Sequence, residues 1–287
     1  MIAPVLDTCR PGRASGRLLL LFGLAVAIAG CTPATLKQRN GYWADQAQPA
    51  QAYNQRVRFL VMHYTGGDET RALQVLTGPS VSSHYVVGDH PPRRGGDPVV
   101  YQLVDETARA WHAGTSAWGG RRHLNDSSIG IEIVNPGPVD TPSGKVWRGF
   151  DGDQIDAVSR LARDIIARYD IAPENVVAHA DISPGRKIDP GPLFPWQRLH
   201  AAGVGAWPDA DLVARYQRRF AANPPSLYQT QVKLAHYGYD ISATGTMDAQ
   251  TRRVLRAFQM HFRPTDYSGT LDVGTQARLW ALDEQYR

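Results

Sequence analysis

Residues 128–179 constrain the fold most, because two strand-like segments there flank one clear helix. The segments "SIGIEIV" (128–134) and "NVVAH" (175–179) have the length and the β-branched content of buried strands. Between them, apolar residues recur with a helical period, at Ile155, Val158, Leu161, Ala162, Ile165, Ile166 and Tyr169. An amphipathic helix between two strands covers one face of a sheet, so the pattern predicts an α/β fold.

Three earlier segments have the same strand-like character: "VRFLVMHY" (57–64), "HYVVG" (84–88) and "PVVYQLV" (98–104). Strands and helices together occupy residues 56–200, which suits one domain with a central mixed sheet flanked by helices. We expect residues 201–225 to form a helical bridge. The prolines of "NPPS" mark its end, because proline stops a helix.

The final segment, residues 226–287, contains an internal repeat. "TGTMDAQTRRVLRAF" and "SGTLDVGTQARLWAL" align with each other, and each reads as a glycine turn followed by an acidic residue and an amphipathic helix. The matched positions are Gly245, Asp248 and Thr251 in the first copy and Gly269, Asp272 and Thr275 in the second. Two copies are too few for a solenoid, so we expect a compact all-α domain.

Residues 1–30 have the organisation of a secretory signal peptide. Three arginines precede the apolar run "LLLLFGLAVAIA", which is too short to span a bilayer as a stable helix. The run ends in "IAGC", which resembles the lipobox of bacterial lipoproteins and implies a lipid on Cys31. By the same resemblance, Thr32 in place of aspartate favours the periplasmic side of the outer membrane. An uncleaved membrane anchor is the alternative.

Cleavage before Cys31 would leave residues 31–55 as a lipidated tether. It would also lower the net charge from +4 to +2, because three arginines and one aspartate leave with the segment. This near-neutral charge argues against a nucleic-acid partner. Since Cys9 and Cys31 are the two cysteines, the mature chain would have no disulfide, and its stability must come from packing and from any bound metal.

The segment "HADISPGRKIDPG", which begins at His179, crowds ionisable side chains into a stretch of irregular backbone. His179 ends one predicted strand, Asp189 follows in the same segment, and His63 ends another predicted strand. Two imidazoles and one carboxylate would form a metal site with an open fourth position, as in catalytic zinc sites. Iron(II) accepts the same ligands. The residues alone leave open that Asp189 forms a turn and that the histidines are packing or surface residues.

Five blocks, "VMHYT", "SSHYVV", "AWHAG", "SIGIEIVN" and "VVAHADISPGRKIDPGPLFPW", together resemble the zinc-dependent N-acetylmuramoyl-L-alanine amidases of type 2. That family shares the fold of the peptidoglycan recognition proteins. The resemblance implies a Zn²⁺ cofactor held by His63, His179 and Asp189, with Glu132 and Lys187 as catalytic residues. It also implies hydrolysis of the amide bond between N-acetylmuramic acid and L-alanine in peptidoglycan or its fragments, for cell-wall turnover.

Other positions in these blocks are candidates for substrate binding, with core packing as the alternative: His84, Trp111, His112 and Asn135. The alternative for Glu132 is a solvated strand residue, and the alternative for Lys187 is a loop cation paired with Asp181. Arg186 is interpreted as a simple surface charge.

The C-terminal segment resembles the peptidoglycan-binding domain of type 1, a three-helix module, through "QTQVKLAHYGYDI" and the first repeat. This resemblance implies peptidoglycan or muropeptides as partners, with packing against the catalytic domain as the alternative role. We expect a monomer.

Two other functional classes stay open: a non-catalytic binding protein of the same fold and an unrelated metal hydrolase. A non-catalytic relative would have lost one or more metal ligands, whereas His63, His179 and Asp189 are all present. The export signal and the C-terminal segment argue against the unrelated hydrolase.

Overall fold

The computed structural model describes residues 35–142 and 144–287. The chain divides into two compact units, Met1–Tyr53 and Asn54–Arg287. The predicted signal peptide, residues 1–30, and the predicted lipid site at Cys31 lie outside the described residues. Within the described ranges, none of the helices combines the length and the apolar character that a bilayer span requires.

The described part of the first unit contains a β-hairpin. Strands β1 (Leu36–Arg39) and β2 (Tyr42–Asp45) pair antiparallel, with Arg39 opposite Tyr42. The two residues between them are Asn40 and Gly41, and Gly41 has a φ of +82°. Glycine adopts this positive φ without steric cost, so Gly41 at the second turn position allows the tight connection. The segment predicted as a tether therefore contains a short hairpin.

The second unit contains the remaining strands: β3 Phe59–Tyr64, β4 Tyr85–Val87, β5 Arg93–Arg94, β6 Asp97–Pro98, β7 Tyr101–Gln102, β8 Ala117–Trp118, β9 Arg121–Arg122, β10 Ser128–Ile133, β11 Val139–Thr141, β12 Gly144–Val146 and β13 Val176–Ala178. Its α-helices are α1 Glu69–Leu76, α2 Gly152–Tyr169, α3 His179–Ile182, α4 Trp196–Ala201, α5 Ala210–Ala222, α6 Leu227–Tyr237, α7 Ala249–Phe262 and α8 Val273–Tyr286. Single 3₁₀ turns at Leu124–Asp126 and Pro173–Asn175 precede β10 and β13.

A five-stranded sheet in the order β13-β3-β10-β4-β7 forms the centre of this unit. The first four strands run parallel, and β7 pairs antiparallel to β4. The predicted mixed sheet is thus confirmed. The predicted strand over 98–104 is wrong in detail, because that segment is divided between β6 and β7.

Helix α2 covers the sheet through the apolar stripe seen in the sequence. Ile155, Val158 and Ile165 are at most 1% exposed and share one core with the isoleucines of β10. The helix begins earlier than the stripe, because the Asp151 side chain accepts a hydrogen bond from the Asp153 N–H and caps the first turn. Full burial on both faces explains why β3 and β10 read as continuous apolar runs.

The three helices predicted after residue 226 are present as α6, α7 and α8. The bridge helix α5 joins them, because Val213 and Phe220 pack against Ala277 and Ala281 of α8. Residues 201–225 are therefore part of the packed structure and do not form a free linker. Apolar side chains of α6 and α7 also enter the same core cluster as the sheet.

The internal repeat corresponds to a repeated set of hydrogen bonds. Asp248 caps α7 by accepting from the Thr251 N–H, and Asp272 caps α8 by accepting from the Thr275 N–H. In each copy a buried glutamine accepts from the turn glycine and donates to the threonine hydroxyl: Gln231 contacts Gly245 and Thr251, and Gln259 contacts Gly269 and Thr275. The repeat is therefore a helix-capping unit.

Candidate metal centre

His63 and Glu132 lie side by side on the two central strands. They are register partners in the parallel pair β3–β10, and register partners project from the same face of a sheet. Ile131 and Ile133, on either side of Glu132, belong to the core that α2 covers. Since successive strand residues alternate between faces, His63 and Glu132 point to the opposite face.

His179 and Asp189 are brought together by a folded-back loop. His179 is the first residue of α3 and directly follows β13, which corrects the expectation that it ends a strand. The Ala180 N–H donates to the Asp189 carbonyl at 2.9 Å, and the Lys187 N–H donates to the Ser183 carbonyl at 3.1 Å. These backbone bonds hold the loop against α3, so the two ligand-bearing segments have a fixed separation.

The three residues that the sequence analysis proposed as metal ligands converge on one point. His63 Nδ1 lies 2.9 Å from His179 Nδ1 and 3.0 Å from Asp189 Oδ2, and His179 Nδ1 lies 3.0 Å from the same oxygen. The side chains are buried, with relative exposures of 1%, 3% and 7%. They form a compact triangle of donor atoms that could hold a metal ion.

Hydrogen bonds fix the proton of His179 on the far side of its ring. Its Nε2 lies 3.2 Å from the Ala113 carbonyl oxygen, which can only accept. Arg186 Nη2 lies 3.3 Å from the same nitrogen, but its two hydrogens point at the Ala113 and Thr115 carbonyls at 2.9 and 3.0 Å. Nε2 therefore carries the proton, and the Nδ1 of the neutral ring presents a lone pair.

A longer chain of hydrogen bonds fixes the proton of His63. The Ser128 hydroxyl donates to the Leu124 carbonyl at 2.6 Å, so its oxygen is free to accept from His112 Nε2 at 3.2 Å. His112 Nδ1 must then accept, and it lies 2.9 Å from His63 Nε2. The proton of His63 is thereby placed on Nε2, and Nδ1 again presents a lone pair.

The donor set therefore fits a cation. Two imidazole lone pairs and one carboxylate oxygen face each other at 2.9–3.0 Å with no proton between them, an arrangement that a positive ion stabilises. Two histidines and one carboxylate are a ligand set that zinc uses in catalytic sites.

The pKa values agree with this assignment of protons. Burial, followed by the neighbouring His179, lowers the pKa of His63 to about 4. Burial also lowers the pKa of His112 well below its ordinary value. Burial alone would raise the pKa of Asp189, but His179 and His63 outweigh it and hold that pKa far below its ordinary value. At neutral pH the His63 and His112 rings are thus neutral and Asp189 is a carboxylate.

Glu132 carries an unpaired polar atom beside this centre. Its Oε2 is buried and has no hydrogen-bond partner among the described residues. Burial, followed by the charge of Asp189, raises the pKa of Glu132 well above its ordinary value, and Lys187 partly opposes the shift. A buried carboxyl oxygen without a partner is costly for stability, so its presence here points to a chemical role.

A cavity of about 560 Å³ lies over the donor triangle, within the size range of small-molecule sites. Its lining includes His179, Asp189, Glu132, Lys187, Trp111 and Arg71. Lys187 is half-buried, and its side chain forms no ion pair within the part of the chain that the structure describes. The alternative pairing of Lys187 with Asp181 is not present, because Asp181 is buried against His261 and Tyr239.

The four candidate substrate residues have different surroundings. Trp111 lines the cavity and is 54% exposed, so its ring is available to a ligand. His112 also lines the cavity, but both of its nitrogens are engaged in the chain of hydrogen bonds that ends at His63.

The structure corrects the expectation of substrate contact for His84 and Asn135. His84 is fully buried and accepts from the Gly130 N–H at 3.1 Å. Asn135 donates to the Gly149 carbonyl and accepts from the Gly137 N–H, both at 2.8 Å. Neither residue lines the cavity. Both therefore support the backbone around the site, which is the packing alternative.

Three contributors to the site were missed by sequence reasoning. Ser128 sets the proton of His112, and Gly130 leaves room for the same ring, since a Cβ there would lie 2.5 Å from His112 Cγ. A glycine inside a buried strand was the available signal, because it marks a close approach. Arg186 is also more than a surface charge: its guanidinium joins the Ala113 and Thr115 carbonyls to the Ser183 hydroxyl.

Removal of the Ser128 hydroxyl is expected to weaken metal binding. In Ser128→Ala, His112 Nε2 loses its acceptor, so the proton is free to move to Nδ1 and oppose the tautomer that His63 needs. We expect the Kd for zinc to rise about tenfold, as for other groups that orient metal ligands. Competition with a chromophoric chelator measures this Kd.

Ser159→Ala is the matched control. Ser159 is also buried, and its hydroxyl donates to the Ile155 carbonyl within α2, remote from the site. Equal zinc affinities for both variants would contradict the proposed hydrogen-bond chain.

Family models match both parts of the chain. A model of the N-acetylmuramoyl-L-alanine amidase family matches residues 53–192. A model of a peptidoglycan binding domain matches residues 223–279. The first match contains every candidate metal and catalytic residue named above, and the second contains α6 and α7 and part of α8.

Curated relatives agree with these matches. The N-acetylmuramoyl-L-alanine amidase AmiD of Escherichia coli is 49% identical over 272 residues, which is 94% of this chain and 98% of the relative. The 1,6-anhydro-N-acetylmuramyl-L-alanine amidase AmpD of Enterobacter cloacae is 41% identical over 109 residues, which is 38% of this chain and 52% of the relative.

The fold of this chain is also similar to those of solved amidase structures. E. coli AmiD, in complex with the substrate anhydro-N-acetylmuramic acid-L-Ala-D-gamma-Glu-L-Lys, has a TM-score of 0.81 at 50% identity, covering 88% of this chain and 98% of that one. AMPDH3 of Pseudomonas aeruginosa, in complex with anhydromuramic pentapeptide, has a TM-score of 0.77 at 42% identity, covering 87% and 98%. By sequence identity along nearly its whole length and by shared fold, this chain belongs to the N-acetylmuramoyl-L-alanine amidase family.

Proposed function

We propose that the chain is a zinc-dependent amidase that hydrolyses the bond between N-acetylmuramic acid and L-alanine in peptidoglycan or its fragments, for cell-wall turnover. The observation that carries this proposal is the buried triangle of His63, His179 and Asp189 beneath a cavity that also exposes Glu132. The family membership supports the choice of bond, and the donor set supports zinc as the metal. A non-catalytic binding protein would have no use for a costly unpaired carboxyl beside the ligands.

The positions of the residues support the roles proposed for them. Zinc at the triangle would polarise the scissile carbonyl and activate water. Glu132, with its raised pKa and unpaired Oε2, accepts a proton from the attacking water and passes it to the leaving amine. Lys187 stabilises the negative charge that develops on the carbonyl oxygen. Water adds to the carbonyl carbon as the C–N bond breaks, which leaves a lactyl carboxylate and a free alanine amine.

The cavity also contains residues suited to binding the substrate. Trp111, exposed at the cavity, offers an aromatic face to a sugar ring. Arg71 lines the same cavity and offers a cation to the carboxylates of a muropeptide. The C-terminal helices are proposed to bind peptidoglycan, which rests on the family match over residues 223–279.

One experiment tests the reaction and the metal together. The purified protein digests murein fragments with and without a chelator, and mass spectrometry follows the products. We expect peptides that begin with L-alanine, their loss after chelation, and their return when zinc is added. Products cut at any other bond would contradict the reaction. Undiminished cleavage after complete removal of the metal would contradict the mechanism.

We also propose that the mature chain is a monomer anchored by a lipid on Cys31 to the periplasmic side of the outer membrane. The support is the apolar run that ends in "IAGC" and the threonine that follows the cysteine. Labelling with radioactive palmitate is expected to mark the wild type and not Cys31→Ser. Label on both proteins, or on neither, would contradict the anchor.

A further inference from the structure

A fully buried carboxylate joins the helix that carries His179 to the C-terminal helices. Asp181, in α3, accepts at Oδ2 from the Ala178 N–H at 2.8 Å and from His261 Nδ1 at 2.6 Å. Its Oδ1 accepts from the Tyr239 hydroxyl at 2.6 Å. Asp181 is 0% exposed, and Tyr239 and His261 are each 2% exposed. The carboxylate thus caps the start of α3 with one bond and holds two C-terminal side chains with the others.

The same C-terminal histidine also contacts the segment that follows Asp189. The ring of His261 stacks on Trp196, with centroids 3.7 Å apart and planes 22° apart. Trp196 begins α4, a few residues after Asp189. His261 therefore contacts Asp181, in the same helix as the ligand His179, and also Trp196, in the segment that follows the ligand Asp189.

Asp181 needs the two donors from the C-terminal segment, Tyr239 in the loop after α6 and His261 in α7. A buried carboxylate that loses a hydrogen-bond donor is destabilised, because water cannot replace the donor. Two of the three donors to Asp181 come from residues beyond α5. Without them, the carboxylate would be expected to turn toward solvent and to release the Ala178 N–H. Ala178 is the residue directly before the ligand His179.

We propose that Tyr239 and His261 are positioning residues for the metal ligand His179, acting through Asp181. The C-terminal helices are then an integral part of the metal centre, in addition to any contact they make with peptidoglycan. This inference rests on the proposed metal site, and it does not depend on which bond the enzyme cleaves.

Two tyrosines provide a matched test. Tyr239 and Tyr237 are both buried and both pack edge-on against Trp118, with ring centroids 4.8 and 6.0 Å from it. The Tyr239 hydroxyl donates to Asp181, whereas the Tyr237 hydroxyl has no partner among the described residues. We expect Tyr239→Phe to raise the Kd for zinc about tenfold and Tyr237→Phe to leave it unchanged.

Two replacements of His261 test whether a new N–H donor restores the zinc affinity. His261→Leu removes the donor to Asp181, and we expect a loss of zinc affinity similar to that of Tyr239→Phe. His261→Asn keeps an N–H near the position of Nδ1, so it should recover most of that affinity. Hydrogen exchange of residues 176–183 in the metal-free proteins should be faster in Tyr239→Phe and His261→Leu than in the wild type. Sedimentation with purified murein should be the same for all variants.

The outcomes separate this inference from the proposed function. A wild type that does not bind zinc would remove the proposed metal site itself. A wild type that binds zinc, with unchanged Kd and exchange in Tyr239→Phe and His261→Leu, would overturn the positioning role alone. Variants of Tyr239 or His261 that lose murein binding but keep their zinc affinity would also overturn the positioning role. Such a result would assign the two residues to the wall-binding surface.

Discussion

Replacement of Asp189 by alanine is expected to abolish both metal binding and amidase activity. Asp189 Oδ2 lies 3.0 Å from each of the two imidazole nitrogens that complete the donor triangle. Without it, two lone pairs remain, and the anionic charge that attracts the metal is lost. The effect on zinc affinity should exceed the roughly 10–100-fold cost of losing a group that only orients a ligand. Measured zinc content and release of L-alanine peptides from murein fragments check the two parts.

Two further variants make this prediction specific. Asp189→Asn keeps the shape of the side chain and one oxygen but removes the charge, so we expect weak metal binding that excess zinc partly restores. Asp156→Ala is the control, because Asp156 is an exposed carboxylate on α2 that pairs with Arg198 at 2.7 Å. Exposed pairs of this kind contribute little to stability. Full zinc binding by Asp189→Ala would contradict the assigned ligand.

Replacement of Glu132 by glutamine is expected to reduce turnover about 10²–10⁴-fold without loss of zinc, the usual contribution of a positioned acid–base group. Glutamine has the same shape as glutamate but cannot accept and return a proton at neutral pH. Glu132 is half-buried, and its buried Oε2 is unpaired among the described residues. The neutral amide avoids the cost of a buried charge, so the variant should unfold at a higher temperature than the wild type.

A second glutamate provides the opposite control. Glu106 accepts hydrogen bonds from Tyr85 at 2.8 Å and Tyr169 at 2.9 Å and is clamped by the Arg168 guanidinium. Glu106→Gln should therefore lower the melting temperature and leave turnover nearly unchanged. If Glu132→Gln is destabilised and active, and Glu106→Gln is stable and inactive, the assignment of the proton carrier is wrong.

The pH profile gives an independent check on Glu132. Burial, and then the charge of Asp189, raises its pKa, and a general base acts only when deprotonated. The kcat/KM of the wild type should consequently fall as pH drops through this raised pKa, which lies above the ordinary glutamate value. Glu132→Gln should lack this acidic limb. A wild-type profile that stays flat well below neutral pH would contradict the role.

Local patterns in the sequence were sufficient to predict the strands of the central sheet, helix α2 and the helices after residue 201. The stripe from Ile155 to Tyr169 and the apolar runs that became β3, β10 and β13 depend on neighbours within a few residues, which the printed order shows directly. The hairpin at Asn40 and Gly41 carried an equally local signal that was overlooked. The break between β6 and β7 was missed because strand propensity does not show where pairing partners end.

The candidate ligands were found by resemblance, since the same residues taken alone allowed packing and turn-forming roles. Spacing along the chain does not show whether His63 meets the other two ligands, because it lies 116 residues from His179 and 126 from Asp189. For His84 and Asn135 the resemblance was misleading. Both residues occur in the same motifs, but they bond to backbone groups outside the cavity.

By itself, the sequence determined the main strands of the central sheet, helix α2, the repeated caps of α7 and α8, and the residue types available for a metal centre. Only the tertiary structure decided which nitrogen of each imidazole faces the metal, because Ser128, His112 and Ala113 set those protons from distant positions. It also decided that Asp181 bonds to the C-terminal helices and not to Lys187. The physical reason is that periodicity arises from backbone geometry within a few residues, whereas hydrogen bonds between buried side chains form only after packing has excluded water.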